Sequence, residues 1–164
     1  RSEIGLLFLN DFNEAVLRKL LKSHDLEFHP LFTAKPHVFI SNVHPLAVKA
    51  KIQLEDLKAY PYLTYEQGER NSFYYAEEFL STLDMPKNIQ VRDRATMFNL
   101  IIGLNGFTVC SGVISEELNG SQIIARPLDM DVQMRIGLVK KKNILFSRYA
   151  DTYIEALKKY VSID

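Results

Sequence analysis

A single cysteine among 164 residues, Cys110, is the first scarcity of this sequence, and it excludes an intramolecular disulfide. A lone thiol fits a reducing compartment, so a cytoplasmic location is expected. Net charge is the second scarcity. Twenty Lys and Arg offset twenty Asp and Glu, and a chain without a basic excess is not a free-standing nucleic-acid binder. Apolar runs fall far short of a membrane span, and Arg1-Ser2-Glu3 leads into the strand-like IGLLFL without the pattern of a secretory signal. Catalytic signatures are missing too: there is no G-x-S-x-G elbow, no P-loop and no G-x-G-x-x-G. The acid pairs Glu77-Glu78 and Glu116-Glu117 are adjacent, so on a helix they diverge and form no acid/base couple. Neither enzyme activity nor a cofactor is expected. His24, His29, His37 and His44 lack the spacings that metals favour, so they are read as surface or loop residues and no metal is expected. Cys110 sits in an apolar strand without a basic neighbour in sequence, which describes an inert buried thiol.

What is present is ordinary for a globular protein, with 47% hydrophobic and 24% charged residues. The length suits one large domain or two small lobes. Residues 4–9 read as a short buried strand. Asp11 and Glu14 match a capping box ahead of a helix over 12–23, with Val16, Leu17, Leu20 and Leu21 on one face. Strands follow at 26–32 and at 37–43, the latter with Val38, Ile40 and Asn42 to one side. A short helix at 54–60 and a strand at 62–65 come next, then a helix from Asn71 or Ser72 to about Leu83 and a strand at 88–91. Asp93 caps a helix carrying Met97, Leu100, Ile101 and Leu104 at i, i+3, i+4, i+7. Asn105-Gly106 closes it in the left-handed manner. Strands at 107–110, 123–127 and 132–139 precede a last helix opened by Ser147, in which Tyr149, Tyr153, Leu157 and Tyr160 recur. The Lys140-Lys141-Lys142 run is read as a solvated turn. Strands alternating with helices in this way predict α/β lobes with mainly parallel sheets.

Residues 44–73, HPLAVKAKIQLEDLKAYPYLTYEQGERNSF, carry the most information. An extended segment ends at His44-Pro45, a short helix follows, Pro61 stiffens the backbone, and a strand then runs into a polar loop. A chain passing from one α/β lobe to another is built this way, and a cleft between lobes is where small ligands bind. The phrase resembles the crossover of the LysR-type transcriptional regulators. Two more phrases are similar to that family: Ile4-Gly5-Leu6-Leu7, and the helix-to-strand turn from Ile101 to Ser111. The sequence departs from the family pattern at Asn105, where glycine is usual, and at Cys110-Ser111-Gly112, where Leu-Pro is common. The resemblance implies a two-lobed, type II periplasmic-binding-protein-like α/β fold with the first lobe incomplete. Its expected division is 1–61 as the later part of regulatory lobe I, 62–129 as lobe II and 130–164 as a return to lobe I. Hinges are expected near 60–63 and 127–132. It further implies a small-molecule effector, DNA contact only through a helix-turn-helix domain absent here, and a homodimer or tetramer of the full-length regulator. A transporter's solute-binding protein and an enzyme on the same scaffold are the alternatives.

Within such a fold ligands sit at the carboxyl ends of strands, against helix N-termini. Two segments have that chemistry. The loop 66–72 offers Gln67, Arg70, Asn71 and Ser72 as hydrogen-bonding groups beside Gly68, although the same residues are ordinary turn and cap material. Arg92-Asp93-Arg94 opens a helix. There Arg94 or Arg92 fits a bidentate pairing with a carboxylate, while the plainer reading makes Asp93 a cap and the arginines surface ion pairs. Asn10, after the first strand, and Ser111, at the exit of 107–110, complete the expected ligand-binding set. Asp11 beside Asn10 is first a capping residue.

Overall fold

The computed structural model describes residues 2–66, 80 and 85–161. The backbone divides into two compact units, one formed by 1–34 with 133–164 and the other by 35–132.

The first unit is a three-stranded sheet with two helices. β1 (Ile4–Leu9) and β2 (Leu26–Ala34) flank β8 (Met134–Lys141), and both pair with it antiparallel. β1, α1 (Glu14–Ser23) and β2 therefore make a crossover unit whose parallel strands are separated by a third strand running the other way. That inserted strand is why the sheet is antiparallel although its first two strands are joined by a helix. β8 also absorbs Lys140 and Lys141, which stand opposite Ile4 and Leu26, so two of the three lysines expected in a turn lie in a strand.

The entry to α1 is capped one residue earlier than the sequence suggested. The Asn10 amide donates to Asn13 Oδ1 and the Asn13 amide donates to Asn10 Oδ1, both at 2.9 Å. Asp11 is exposed instead, and the Glu14 carboxylate accepts from Arg18 at 2.7 Å and from Arg135 of β8. Two amide side chains reproduce the reciprocal logic of a capping box without a charge, which suits a buried turn. Leu17 and Leu21 face the core whereas Val16 is exposed. In α5 (Arg148–Val161) Ala150 is the buried residue, with Ile154 and Leu157 half-buried, while Tyr149, Tyr153 and Tyr160 are exposed. The helical spacing of the tyrosines thus marked the outer face.

The second unit is built on β3 (His37–Ser41), which lies between β6 (Thr108–Cys110) and β7 (Ile123–Pro127) and is antiparallel to both. β4 (Tyr62–Tyr65) pairs parallel with β5 (Asn88–Val91). A parallel bridge between Tyr62 and Phe107 joins that pair to β6, with the Leu63 amide donating to the Phe107 carbonyl at 2.8 Å. Both faces of this sheet are covered. Val38, Ile40, Tyr62, Phe107 and Val109 pack on one side, and Phe39, Leu63, Val91, Met97 and Ile101 on the other. Alternation along β3 explains why it is buried throughout rather than on one face, as a central strand between two layers must be.

The first passage between units was expected after residue 61 but falls at 34/35, because β3 is the middle strand of the second unit. A single 3-10 turn (Pro45–Val48) and α2 (Leu54–Leu57) follow β3 in that same unit. The segment 60–63, expected as a hinge, is held in the second unit by the Phe107 amide donating to the Pro61 carbonyl at 2.9 Å. The return between the units falls at 132/133.

His44 corrects the surface reading given to the histidines. It is 2% exposed, its Nδ1 accepts from the Leu46 amide at 3.0 Å, and its Nε2 donates to the Asn105 carbonyl at 3.0 Å. The ring thereby caps the 3-10 turn, whose first residue is Pro45. It also ties that turn to Asn105, the left-handed residue (φ 50°, ψ 42°) closing α3 (Arg94–Leu104). Burial lowers the His44 pKa, against an opposing contribution from the bond to Asn105.

Candidate ligand-binding site

The carboxyl ends of β4 and β6 and the first turn of α3 line a half-open cavity of about 190 Å³ within the second unit. Each wall follows from the local fold. Asp93 fixes the start of α3, its carboxylate accepting from the Thr96 amide at 2.8 Å and from the Thr96 hydroxyl at 2.7 Å. Those bonds hold the Asp93 pKa below the usual carboxylate value. Asp93 is therefore a cap, and it occupies backbone donors that a bound anion would otherwise use. Met97 and Phe98 of α3 meet Phe39 of β3 in the wall of the cavity. Thr108 stands directly opposite Phe39 in the β3–β6 register and so shares its face. Cys110 and Ser111 follow at the exit of the strand, with Tyr65 at the end of β4.

The two arginines separate cleanly. Arg92 is exposed and pairs with Glu66, which lowers the Glu66 pKa and raises that of Arg92. Arg94 lines the cavity, its guanidinium 4.9 Å from the centre of the Phe98 ring, and no carboxylate among the described residues pairs with it. A stacked guanidinium keeps its in-plane N–H groups available for a carboxylate. Thr108 adds an unexpected group. It is 6% exposed and lines the cavity.

Ser111 lines the cavity and accepts a long bond (3.4 Å) from the Val113 amide. The turn beyond it is fixed by Gly112 at φ +84°, where a Cβ would sit 2.6 Å from the His37 ring. Only glycine meets both demands. Cys110 is shielded there, and burial pushes its pKa up to about 12 despite the Gly112 amide and Arg94. Its thiol is neutral and unreactive near pH 7.

Of the residues expected to bind ligand, Arg94 and Ser111 come together at this cavity, and Asp93 supports it from the cap. Asn10 belongs to the first unit, where its side-chain oxygen accepts from the Phe12 and Asn13 amides. Gln67, Arg70, Asn71 and Ser72, with the helix expected to follow them, lie outside the described residues. Sequence reasoning missed Thr108, Phe39 and Phe98. A polar Thr108 between Phe107 and Val109 in an apolar strand was the available signal. Among the described residues no group of His, Cys, Asp and Glu is arranged to hold a metal ion, and no helix is long and apolar enough to cross a membrane.

Residues 6–162 match the LysR substrate binding domain family. No curated protein sequence matches the chain. Among solved structures, HinK, a LysR family transcriptional regulator from Pseudomonas aeruginosa, superposes with a TM-score of 0.60 at 16% identity. That match covers 97% of this chain and 52% of HinK, so the chain spans about half of the regulator. The regulatory domain of MetR from N. meningitidis gives 0.61 at 16% identity over 100% of this chain and 73% of that one. The effector binding domain of QuiR, in complex with shikimate, gives 0.58 at 20% identity, covering 96% of this chain and 71% of that one.

Proposed function

Because the chain belongs to the LysR substrate binding domain family, and has the type II periplasmic-binding-protein-like α/β fold of that family, we propose that it senses a small anionic metabolite at the cavity beside α3 on behalf of a transcriptional regulator. The observation that carries this reading is Arg94, a cation without a carboxylate partner among the described residues, set in a partly apolar cavity that Thr108 and Ser111 also line. Arg92 is engaged by Glu66, whereas a guanidinium at the mouth of a cavity is poised for a ligand's carboxylate. The shikimate held by the QuiR effector binding domain, a relative in fold, supports a small carboxylate as the ligand.

The work is sensing rather than catalysis. Cys110 is held as a neutral thiol by burial, which removes the strongest nucleophile of the cavity. A ligand biases the protein only through its different affinities for two arrangements of the regulator. DNA contact belongs to a helix-turn-helix domain elsewhere in the regulator, which acts in the cytoplasm as a homodimer or tetramer. Gln67, Arg70, Asn71 and Ser72 stay in the proposed site on the sequence argument, and Asn10 is the weakest member because its side chain is already engaged.

Thermal-shift titration with small carboxylates tests the reading. A bound carboxylate at 100 times its Kd stabilises by about 2.7 kcal/mol. Arg94→Gln is expected to weaken that binding at least tenfold while leaving the ligand-free melting temperature in place, since the side chain is exposed. Absence of any carboxylate response, or full binding by the Arg94→Gln variant, refutes it.

A further inference from the structure

Two walls of the α3 cavity come from elements that meet at one corner. Arg94, Met97 and Phe98 belong to α3, while Thr108, Cys110 and Ser111 belong to β6 and its exit. Asn105, Gly106 and Phe107 join the helix to the strand. Resting on the reading that this cavity is the effector site, we infer that His44 is a positioning residue for effector binding. It acts through Asn105, holding the corner that sets α3 against β6, and not by touching the effector.

The strand side of the corner is fixed by backbone. The Phe107 amide donates to the Pro61 carbonyl at 2.9 Å and the Leu63 amide donates to the Phe107 carbonyl at 2.8 Å, which ties β6 to β4. The helix side depends on a side chain. The last carbonyls of a helix lack donors within it, and the left-handed Asn105 turns its carbonyl to His44 Nε2 at 3.0 Å. Met97 and Ile101 bury α3 against the sheet, but apolar packing is non-directional. Directional control comes from the two ends of the helix, through Asp93 at the start and His44 at the close.

A neutral imidazole suits this task because one ring nitrogen accepts while the other donates. Nδ1 takes the Leu46 amide, which anchors the ring in the 3-10 turn and leaves Nε2–H aimed at Asn105. Burial favours that neutral form. The anchor is itself held: Pro45 stiffens the first position of the turn, and Arg126 of β7 donates to the Ala47 carbonyl at 3.0 Å. The chain therefore runs from a fixed turn, through one ring, to the corner between two cavity walls. Binding groups need their supports held to within about 0.5 Å, so freeing the helix side of the corner is expected to cost affinity before it costs the fold.

The test compares His44→Asn with His44→Gln in the full chain. Asparagine keeps an acceptor for the Leu46 amide and loses Asn105, whereas glutamine keeps a donor for Asn105. A role confined to stability would leave the two cavities alike. Cys110 lines the cavity and reports on it without a ligand. Its alkylation by iodoacetamide is expected to run about tenfold faster in His44→Asn than in His44→Gln. That rate should stay flat in low urea, which marks a local opening and not global unfolding. In calorimetric titration with cyclohexanecarboxylate, succinate and lactate, those that bind the unaltered chain are expected to bind about tenfold more weakly to His44→Asn, with His44→Gln restoring most of the loss. Equal alkylation rates in the two variants, or unchanged carboxylate affinity in His44→Asn, overturn the positioning role while the effector site stands. If none of the three carboxylates binds the unaltered chain, or Arg94→Gln binds them equally well, the effector-site reading falls by itself, and the alkylation rates still decide whether His44 holds the corner.

Discussion

Replacing His44 tests whether the phrase that suggested the family is a structural clamp. The ring is 2% exposed and makes two hydrogen bonds of 3.0 Å, accepting from the Leu46 amide and donating to the Asn105 carbonyl 61 residues away. It also lies 4.4 Å from the Tyr60 ring at a 56° tilt. Alanine at this position leaves the buried Leu46 N–H and the part-buried Asn105 C=O without partners, at up to about 1–3 kcal/mol each. The total is about 4 kcal/mol, against a typical domain stability of about 5–15 kcal/mol. The two bonds can be separated. His44→Asn keeps an acceptor near Cβ for the Leu46 amide and gives up the tie to α3, whereas His44→Gln reaches further and keeps a donor for Asn105. Each is expected to cost about half of the alanine loss. Urea unfolding followed by far-UV circular dichroism measures all three. A loss under about 1 kcal/mol in the alanine variant, or no advantage of asparagine and glutamine over alanine, refutes the clamp.

The same ring fixes a pH window. Burial lowers the folded-state pKa of His44 from its ordinary 6.5. Above 6.5 both states hold the neutral ring and stability is flat with pH. Below it the unfolded chain takes up the proton first, so stability falls as the pH drops from 6.5 toward the lower folded-state value, and levels off beneath that. The carboxylates whose pKa values are lowered, Glu14, Asp56, Glu66, Asp93 and Asp129, lose their contributions only in a more acidic range, starting near their ordinary 3.8–4.5. His44→Asn is therefore expected to flatten the stability profile just below pH 6.5 and to leave the more acidic limb unchanged. A variant with the native slope in that window would assign the proton elsewhere.

Cys110 is expected to react with iodoacetamide about a thousandfold more slowly in the folded chain at pH 8 than in urea, because a pKa of about 12 in place of 9.0 cuts the thiolate fraction by that factor; comparable rates would refute its burial. Gly112→Ala forces a side chain onto φ +84° and into the His37 ring, so a loss of about 1–3 kcal/mol and weaker carboxylate binding are expected from unfolding and titration. Gly106→Ala places a Cβ against Leu63 Cδ1 and 3.2 Å from the Pro61 carbonyl, and is expected to cost a similar amount in urea unfolding. A neutral result at either glycine refutes the packing argument there.

Much of the fold was legible because its elements are set locally. The β1, β4, β5 and β7 boundaries, the Asp93 cap and the left-handed Asn105 all follow from periodicity and turn chemistry within a few residues. Pairing was not legible in the same way. The interposition of β8 between β1 and β2 joins segments about a hundred residues apart, and no spacing in IGLLFL or LEFHPLF announces the partner. The division between the units was misplaced for a related reason. A strand's own pattern shows which residues alternate, and whether both of its faces will be covered depends on what packs there. β3 is central because two apolar clusters meet it, and only the assembled sheet reveals both.

The site shows where local chemistry stops. Arg92 and Arg94 are equivalent in sequence, each beside Asp93 at the start of one helix. What separates them is Glu66, which stands at the end of the neighbouring strand because β4 and β5 pair in parallel register with Tyr65 opposite Val91. Register therefore selects the pairing: the residue following β5 meets the residue following β4, and the charge of Arg92 is consumed. Arg94, two positions on, turns instead over Phe98 within its own helix and stays available. Moving that register by one residue would exchange the faces of the strand and remove the reason for Arg92 to be quenched. If Glu66→Gln frees Arg92 without changing carboxylate affinity, Arg92 takes no part in recognition and the pairing proposed for Arg94 stands. If affinity instead rises severalfold and Arg94→Gln no longer removes it, the two arginines compete for the ligand and the role proposed for Arg94 fails.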